Sequence, residues 1–199
     1  MRYAIRSIVL MFIGIFLTLP AHAADFRPYA GGGVGGFLID AGLGSKDAFG
    51  GYVSLGVDLS DYYGVELRLG GTGKTLGNIV VPQLAPDGPV LLVPTPAKVS
   101  IDWFTSYLLK LQYPLSDQTR IYGVIGATTL KSSFLYAGHT GHSTKTTLSY
   151  GGGFDYGLGN QWRVGVDATV YSNEANTNPG ANFTGVDVWG LTGTAKYEF

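Results

Sequence analysis

The sequence has 199 residues, contains no cysteine and carries few charges, and each shortage limits what the protein can be. Without disulfides, a small exported domain must be held together by packing or by closed hydrogen bonding. Charged residues make up only 14% of the chain, against about 25% in typical soluble domains. Beyond the first 19 residues no run of 18 apolar residues occurs, so no membrane-spanning helix is expected there. We expect no nucleic-acid partner, because the net charge is −1 and no basic patch is visible.

The first 23 residues have the layout of a secretory signal peptide. Two arginines precede an uncharged, mostly apolar run at 8–19, and the Ala-His-Ala at 21–23 gives the small-x-small pattern of a cleavage site. The apolar run is short for a membrane span, which needs roughly 20 residues. We therefore expect export, cleavage after Ala23 and a single mature domain of residues 24–199.

Glycine and aromatic residues are abundant, with 31 glycines and 13% aromatics, and the mature sequence alternates between apolar and polar residues. In residues 49–59, Val53 and Leu55 share one face with Phe49, while Ser54 and Asp58 share the other. Successive side chains of a strand point to opposite faces, so this segment is a two-sided strand. The same alternation recurs in 63–70, 99–113, 148–158, 162–171 and 189–199.

Two glycine-rich segments, 28–38 and 120–130, are also predicted as strands, although glycine on both faces leaves their inward and outward positions unassigned. The total is eight strands, and single-chain bacterial outer-membrane barrels have even numbers of strands from eight upward. The sequence therefore predicts an all-β fold, an eight-stranded antiparallel transmembrane β-barrel. A soluble sandwich shows the same alternation with its apolar face turned inward.

In the six clearly alternating strands, the charged side chains all fall on the face opposite the apolar one. A Lys or Arg in the middle of the lipid face would cost about 2–4 kcal/mol, and a buried charge needs a partner. We therefore predict an interior polar network of salt bridges that fills the barrel, with an ion path as the alternative. Its members are Asp58, Glu66, Arg68, Asp102, Lys110, Asp155, Arg163, Asp167, Lys196 and Glu198.

Aromatic residues gather at strand ends, which favours a membrane barrel over a soluble sandwich because aromatic girdles mark membrane interfaces. The predicted interface aromatics are Tyr63, Tyr113, Tyr156, Trp162, Tyr197 and Phe199. The strand connections alternate in length. Short turns are predicted near 60–61, 114–117 and 159–161, and long loops at 39–48, 71–97, 131–146 and 172–184. In such barrels short turns face the periplasm and long loops face outside.

Several segments resemble a known family, the small outer-membrane β-barrels of the OmpA-like, porin-family or opacity-protein type. The similar pieces are PYAGGGVGG, VDLSDYYGVELRLG, PLSDQTRIYGVIGA, SYGGGFDYGL with WRVGVDA, and the terminal KYEF. The resemblance implies residence in a Gram-negative outer membrane, contact with its lipid and lipopolysaccharide, and no cofactor. It also implies that Tyr197 and Phe199 form the signal by which the outer-membrane assembly machinery recognises such chains.

Three other motifs are candidate functional sites. The stretch GGTGKT at 70–75 lacks the first glycine of a nucleotide-binding loop, because Arg68 stands there, and prolines follow where a helix is required. The stretch VYSNEANTNPG at 170–180 resembles the active-site strand of lipid A deacylases, but Val170 replaces the histidine that would activate the serine. His139 and His142 alone make a poor metal site, since zinc usually takes three or four ligands.

The apolar, proline-rich segment 71–97 is the most unusual part of the sequence. Exposed apolar patches often mark contact surfaces, so it is predicted to contact lipopolysaccharide, a host surface or another protein. The expected function is structural or adhesin-like rather than enzymatic. A narrow nonspecific pore for small solutes is the alternative, and a deacylase-like enzyme is a weaker one.

Overall fold

The computed structural model describes residues 26–40, 45–84, 90–136, 139–173 and 186–199. Nine strands make up this part of the chain. They are β1 Arg27–Asp40, β2 Ser45–Asp58, β3 Tyr63–Thr72, β4 Thr75–Leu84, β5 Val90–Pro114, β6 Thr119–Tyr136, β7 His139–Gly159, β8 Trp162–Ser172 and β9 Asp187–Glu198. Within these residues, no helix is long and apolar enough to cross a membrane.

Eight of the strands form a closed antiparallel barrel. Apart from β3 and β4, neighbours along the chain pair with one another. In addition, β1 pairs with β9, and β3 pairs directly with β5 from Tyr63↔Leu111 to Gly70↔Phe104. This last pairing leaves no free edge in the wall, which is how a sheet satisfies its backbone groups in lipid. The predicted eight-stranded antiparallel barrel is confirmed.

The ninth strand, β4, lies outside the wall and pairs with the first part of β5, from Thr75↔Val99 to Leu84↔Val90. The segment 71–97, predicted as a loop, is thus largely a β-hairpin. The predicted loops 39–48 and 131–146 are also mostly strand, since β1 and β2 run to Asp40 and from Ser45, and β6 and β7 run to Tyr136 and from His139. The loop predicted at 172–184 lies mostly outside the described residues.

Strands β5, β6 and β7 are longer than a membrane requires, at 25, 18 and 21 residues. A tilted strand spans a bilayer with about 9–11 residues. The excess lies at the end opposite the short turns, and there these strands form a continuous sheet with β4. This outer sheet comprises β4 with residues 90–102 of β5, 131–136 of β6 and 139–146 of β7.

The predicted alternation is confirmed in the wall itself. On β2, Val53 and Leu55 are 63% and 62% exposed, whereas Tyr52 and Ser54 are 6% and 2% exposed. Large apolar side chains therefore cover the outside of the barrel, and polar ones face inward. In water such a surface would be unfavourable, but in a bilayer it meets hydrocarbon.

Inward-facing glycines make room for aromatic rings from the neighbouring strand. A Cβ at Gly56 would lie 2.3 Å from Cζ of Tyr29, and one at Gly153 would lie 2.5 Å from Cζ of Tyr122. These contacts show which positions of β1 and β6 face inward, the point that the glycine-rich sequences left open. Aromatic rings therefore fill the interior space beside these two glycines.

Candidate functional site

The barrel interior brings together most of the charged residues predicted to form the interior network. Eight of the ten are buried, and Glu198 is half-buried at the rim nearest the short turns. The buried ones are Asp58, Glu66, Arg68, Lys110, Asp155, Arg163, Asp167 and Lys196. Arg120 on β6 joins them, although the sequence could not assign its face. The interior therefore holds five carboxylates and five cations and is balanced in charge.

Arg68 lies at the centre of the upper half of this network and is fully buried. Its Nη1 and Nη2 donate to Oδ1 and Oδ2 of Asp167, both at 2.9 Å, and its Nε donates to Glu66. Nη1 also lies 3.1 Å from the hydroxyl oxygen of Tyr171. The guanidinium stacks over the ring of Tyr52 at 4.7 Å from its centroid. One cation thereby connects strands β2, β3 and β8.

A second group of charges lies nearer the short turns. Lys110 contacts Asp58 at 3.4 Å, and Lys196 contacts Asp155 at 3.2 Å. The two ammonium groups also lie over the rings of Tyr29 and Tyr122. These contacts join opposite sides of the barrel, so the network fills the lumen at this level.

At the rim nearest the short turns, Arg120 bridges Asp58 and Glu198, at 3.2 and 3.1 Å. Arg163 donates to the backbone oxygen of Gln118 at 3.0 Å and lies 3.8 Å from Glu198. The network thus extends from the rim up to Arg68.

Asp102 does not belong to this network, which corrects the sequence prediction. The register of β5 against β6 shifts between Ile101 and Trp103, so a bulge inserts one extra residue and reverses the alternation above it. Asp102 is therefore partly exposed on the outer sheet, where it accepts a hydrogen bond from Ser133. Ile101, which strict alternation along 99–113 would place on the lipid face with Trp103, is 1% exposed and lies inside.

Above the ion network lies a belt of hydroxyl groups. Ser106 and Thr128 are hydrogen-bonded at 2.7 Å, and the hydroxyl oxygens of Thr128 and Ser149 lie 2.6 Å apart. Ser149 and Thr147 both donate to the backbone oxygen of Tyr171, at 3.1 and 2.9 Å. Ser106 lies opposite Arg68 in the register of β3 and β5, so this belt adjoins the upper end of the ion network.

An aromatic layer lies in the half of the lumen nearer the outer sheet, and the sequence did not predict it. The rings of Phe37, Phe104 and Tyr171 contact one another, with centroids 4.7–6.2 Å apart. Aliphatic residues surround the three rings. The same buried cluster contains Ile39, Ala48, Tyr52, Val99, Ile101, Leu130, Val186 and Val188. The signal that could have revealed the layer is the inward glycines, since Gly50, Gly70 and Gly190 each face one of these rings at close range.

The predicted interface aromatics lie together at the short-turn end. Trp162 and Tyr197 make an edge contact at 5.3 Å between centroids, and Tyr197 makes another with Phe199 at the same distance. The hydroxyl of Tyr156 donates to Gln118 at 2.8 Å. The remaining two, Tyr63 and Tyr113, are 47% and 59% exposed. These rings therefore lie on the outside of the barrel, and the hydroxyl of Tyr156 reaches the turn between β5 and β6.

The other motifs lie as follows. GGTGKT spans the end of β3 and the start of β4, so a strand follows it where a nucleotide loop needs a helix. Ser172, from the deacylase-like stretch, is 2% exposed. His142 lies on the outer sheet, and the side chain of His139 lies outside what the structure describes. Among the described residues, no three His, Cys, Asp or Glu side chains are grouped to hold a metal.

The sequence from residue 8 to residue 199 matches the model of a family described as "Outer membrane protein beta-barrel domain". No curated protein matches the chain in sequence.

Solved structures show the same architecture at low sequence identity. Ail, the attachment invasion locus protein of Yersinia pestis, is 15% identical with a TM-score of 0.55, covering 87% of this chain and 99% of that one. Ail has also been crystallised with the heparin analogue sucrose octasulfate. Neisserial surface protein A is 14% identical with a TM-score of 0.55, covering 86% and 97%. OprG from Pseudomonas aeruginosa is 17% identical with a TM-score of 0.53, covering 87% and 96%.

Proposed function

The chain belongs to the outer membrane protein beta-barrel domain family, and from this premise we propose that it is a surface-interaction protein. In this proposal the barrel is an anchor in the outer membrane, and the outer sheet is the part that meets a partner. The N-terminal 23 residues direct export, and the C-terminal Tyr197 and Phe199 are read by the assembly machinery.

The observation that supports this function is the unequal length of the strands. β3, β8 and β9 have 10, 11 and 12 residues, close to what a bilayer needs, while β5 and β7 have 25 and 21. An anchor alone requires no such extension. The extra length builds a sheet on one side of the barrel, in the position from which a surface protein reaches beyond the lipid headgroups.

The proposed partners are molecules at the cell surface. Lipopolysaccharide surrounds the base of the outer sheet in an outer membrane, and host surfaces lie beyond it. Ail, which shares the fold, was crystallised with a heparin analogue, so an anionic saccharide on a host surface is the class of partner we propose for the β4–β5 hairpin. Segment 71–97 therefore keeps the contact role that its composition suggests.

The test removes the hairpin while keeping the barrel. Thr75 pairs with Val99, so deleting 76–95 leaves residues 96–98 as a three-residue hairpin loop. The barrel wall is closed by β3 and β5 without β4, so the deleted protein should fold and reach the surface. We expect cells that carry it to lose adhesion to heparin-coated and epithelial surfaces.

The matched control replaces 76–95 by a Gly/Ser linker of equal length, which keeps the reach of the chain and removes its sequence. Surface levels are measured with an epitope tag at the β6–β7 turn. Equal adhesion by wild-type, deletion and linker strains at equal surface level would refute the contact role. Loss of adhesion in the deletion strain alone would mean that adhesion depends on the length of segment 76–95 and not on its sequence.

A catalytic role is not part of the proposal. The deacylase-like stretch has Val170 in place of the histidine, and both Val170 and Ser172 are buried. A serine without a base is not an activated nucleophile. Purified protein incubated with lipid A should therefore release no fatty acid.

A further inference from the structure

On strands β5, β6 and β7, the outward side chains change from apolar to polar at one row of the register. Thr105, Thr129 and Thr146 lie opposite one another in this row, and the hydroxyls of Thr129 and Thr146 are hydrogen-bonded at 2.8 Å. One outward position nearer the short turns lie the exposed Tyr107 and Leu148. Because burying a hydroxyl group in hydrocarbon is unfavourable, the threonine row marks the edge of the lipid-facing wall on these strands.

Beyond the threonine row, the outward face of the outer sheet carries two lysines. Lys131 lies opposite Trp103 in the register of β5 and β6, and Lys98 lies opposite the exposed Leu135. Counted along β6, the two lysine rows are four residues apart, which corresponds to about 13 Å along the strands. Among the described residues, neither lysine makes an ion pair. Both positive charges are therefore available to an external anion.

The outer sheet contains a single carboxylate, Asp102, and both of its oxygens are already hydrogen-bonded. One oxygen accepts from Ser100 at 3.3 Å, and the other accepts from Ser133. The oxygen of Ser133 also lies 2.7 Å from Nδ1 of the exposed His142. Together with the two lysines, these four residues make up the cationic face of the outer sheet. Its two unpaired positive charges stand against one hydrogen-bonded carboxylate.

The other side of the barrel has the opposite charge at its edge. On β1, β2 and β9, the outward apolar residues end with the exposed Leu38, Phe49 and Trp189. The next outward position of each strand, away from the short turns, is an aspartate. These three aspartates form the acidic face and are Asp40, Asp47 and Asp187. A phosphate group is attracted to the cationic face and repelled by the acidic face.

We propose that the cationic face is a binding site for one lipopolysaccharide molecule, held through its phosphate groups. The site adjoins the lipid-facing wall, so its ligand comes from the same membrane. A glycerophospholipid carries its phosphate at one depth, whereas lipopolysaccharide carries phosphates on its lipid A and on its inner core sugars. That distribution of anions matches two lysines separated along the strands.

The site deepens the proposed function, because it rests on an outer sheet that faces the outside of the cell, where lipopolysaccharide is the anionic lipid. In that position the bound saccharide lies against one side of the sheet that carries the β4–β5 hairpin. The acidic face leaves the opposite side of the barrel without such a ligand. Lipopolysaccharide is therefore bound asymmetrically around the barrel.

Two native tryptophans lie beside the two faces and report on each separately. Trp103 lies opposite Lys131, and Trp189 is two residues from Asp187. Trp162→Phe/Trp189→Phe leaves Trp103 as the only tryptophan, and Trp103→Phe/Trp162→Phe leaves Trp189. Each protein is refolded into phosphatidylcholine vesicles that contain lipopolysaccharide with a nitroxide, a short-range quencher, on its core sugars. A second series uses the same labelled lipid after its phosphates have been removed.

Half-quenching of Trp103 should need roughly 25-fold less of the phosphorylated than of the dephosphorylated lipid, since each lysine near an anionic lipid contributes about a factor of five. Trp189 should show no such preference. Lys98→Gln/Lys131→Gln, in the background that retains Trp103, should abolish the preference. High salt should weaken it, because exposed charges are screened.

The matched control is Lys46→Gln/Lys145→Gln, which removes the same amount of charge from inward positions. Lys46 pairs with the buried Ile39, and Lys145 pairs with the buried Leu130. This variant should keep the preference of Trp103 for the phosphorylated lipid. Loss of the preference here would show that net charge governs binding, and would overturn the site.

Equal quenching of Trp103 by the phosphorylated and dephosphorylated lipids also overturns the site, as does the same preference at Trp189. Phosphatidylglycerol carrying the nitroxide on its headgroup should be favoured far less over equally labelled phosphatidylcholine. A preference for it as large as that for lipopolysaccharide would contradict lipopolysaccharide as the specific ligand. The measurement uses no host surface, so its failure leaves the adhesion test of the hairpin unaffected.

Discussion

Arg68 and Asp167, 99 residues apart in the chain, face each other across the barrel interior in a two-pronged ion pair with both N–O distances at 2.9 Å. Neither side chain is exposed to solvent. Two parallel charge-assisted hydrogen bonds fix the geometry as well as the charge. The pair sets the distance between strands β3 and β8, which are not neighbours in the wall.

Removing the cation should be strongly destabilising. Arg68→Met leaves Glu66 and Asp167 buried without this cation, and breaking a buried pair costs about 3–5 kcal/mol. The control is Arg27→Met, which breaks a partly exposed pair with Asp61, worth about 0–1 kcal/mol. The free energy of unfolding is measured by urea titration in lipid vesicles, followed by tryptophan fluorescence. Equal effects of the two substitutions would contradict the central role of Arg68.

An inward glycine should tolerate no side chain. Gly56→Ala places a methyl group against the ring of Tyr29, and overpacking of this kind costs about 1–3 kcal/mol. The control is Gly36→Ala on the outer wall, where a Cβ meets nothing within 4 Å. Comparing the two unfolding free energies checks the claim, which fails if Gly56→Ala is as stable as Gly36→Ala.

A charge on the outer wall should be costly only within the lipid. Leu55→Arg puts a guanidinium on the lipid face of β2, at an expected cost of about 2–4 kcal/mol. Thr144→Arg puts the same group on an exposed position of the outer sheet and should be close to neutral. Unfolding free energies in vesicles provide the measurement, and a neutral Leu55→Arg would mean that this face meets water.

The C-terminal aromatic residue should matter for assembly in cells more than for folding. Phe199 is 68% exposed and makes one ring contact, with Tyr197. We expect Phe199→Ala to lower the amount of protein in the outer membrane while refolding into micelles in vitro with unchanged yield. Phe154→Ala, another outward phenylalanine, serves as the control and should leave the cellular amount unchanged. A loss of refolding yield specific to Phe199→Ala would assign it a structural role instead.

Alternation predicts the wall well because lipid outside and polar filling inside impose opposite demands on successive residues of β2, β3 and β9. Where glycine occupies both faces, as in β1 and β6, that signal disappears, so alternation does not identify Arg120 as an interior residue. The bulge between Ile101 and Trp103 reverses the alternation, and no sequence motif marks it, so alternation alone wrongly predicts an inward Asp102.

The outer sheet and the aromatic layer could not be predicted from alternation for different reasons. Beyond the headgroups both faces of a strand meet water, so strand sequences there resemble loops, as at 131–146. Inside, Phe37 and Phe104 fill space created by glycines on neighbouring strands, and such complementarity depends on register. Register is a property of paired strands and is absent from the local pattern.

The central claim is that the outer wall of this closed barrel lies in lipid. All three tryptophans report on it, because Trp103, Trp162 and Trp189 face outward and are 42%, 48% and 54% exposed. The decisive measurement is tryptophan fluorescence of the protein in vesicles whose acyl chains carry bromine, a contact quencher. We expect strong quenching relative to unbrominated vesicles; unquenched emission at the wavelength of water-exposed tryptophan would contradict a lipid-facing wall.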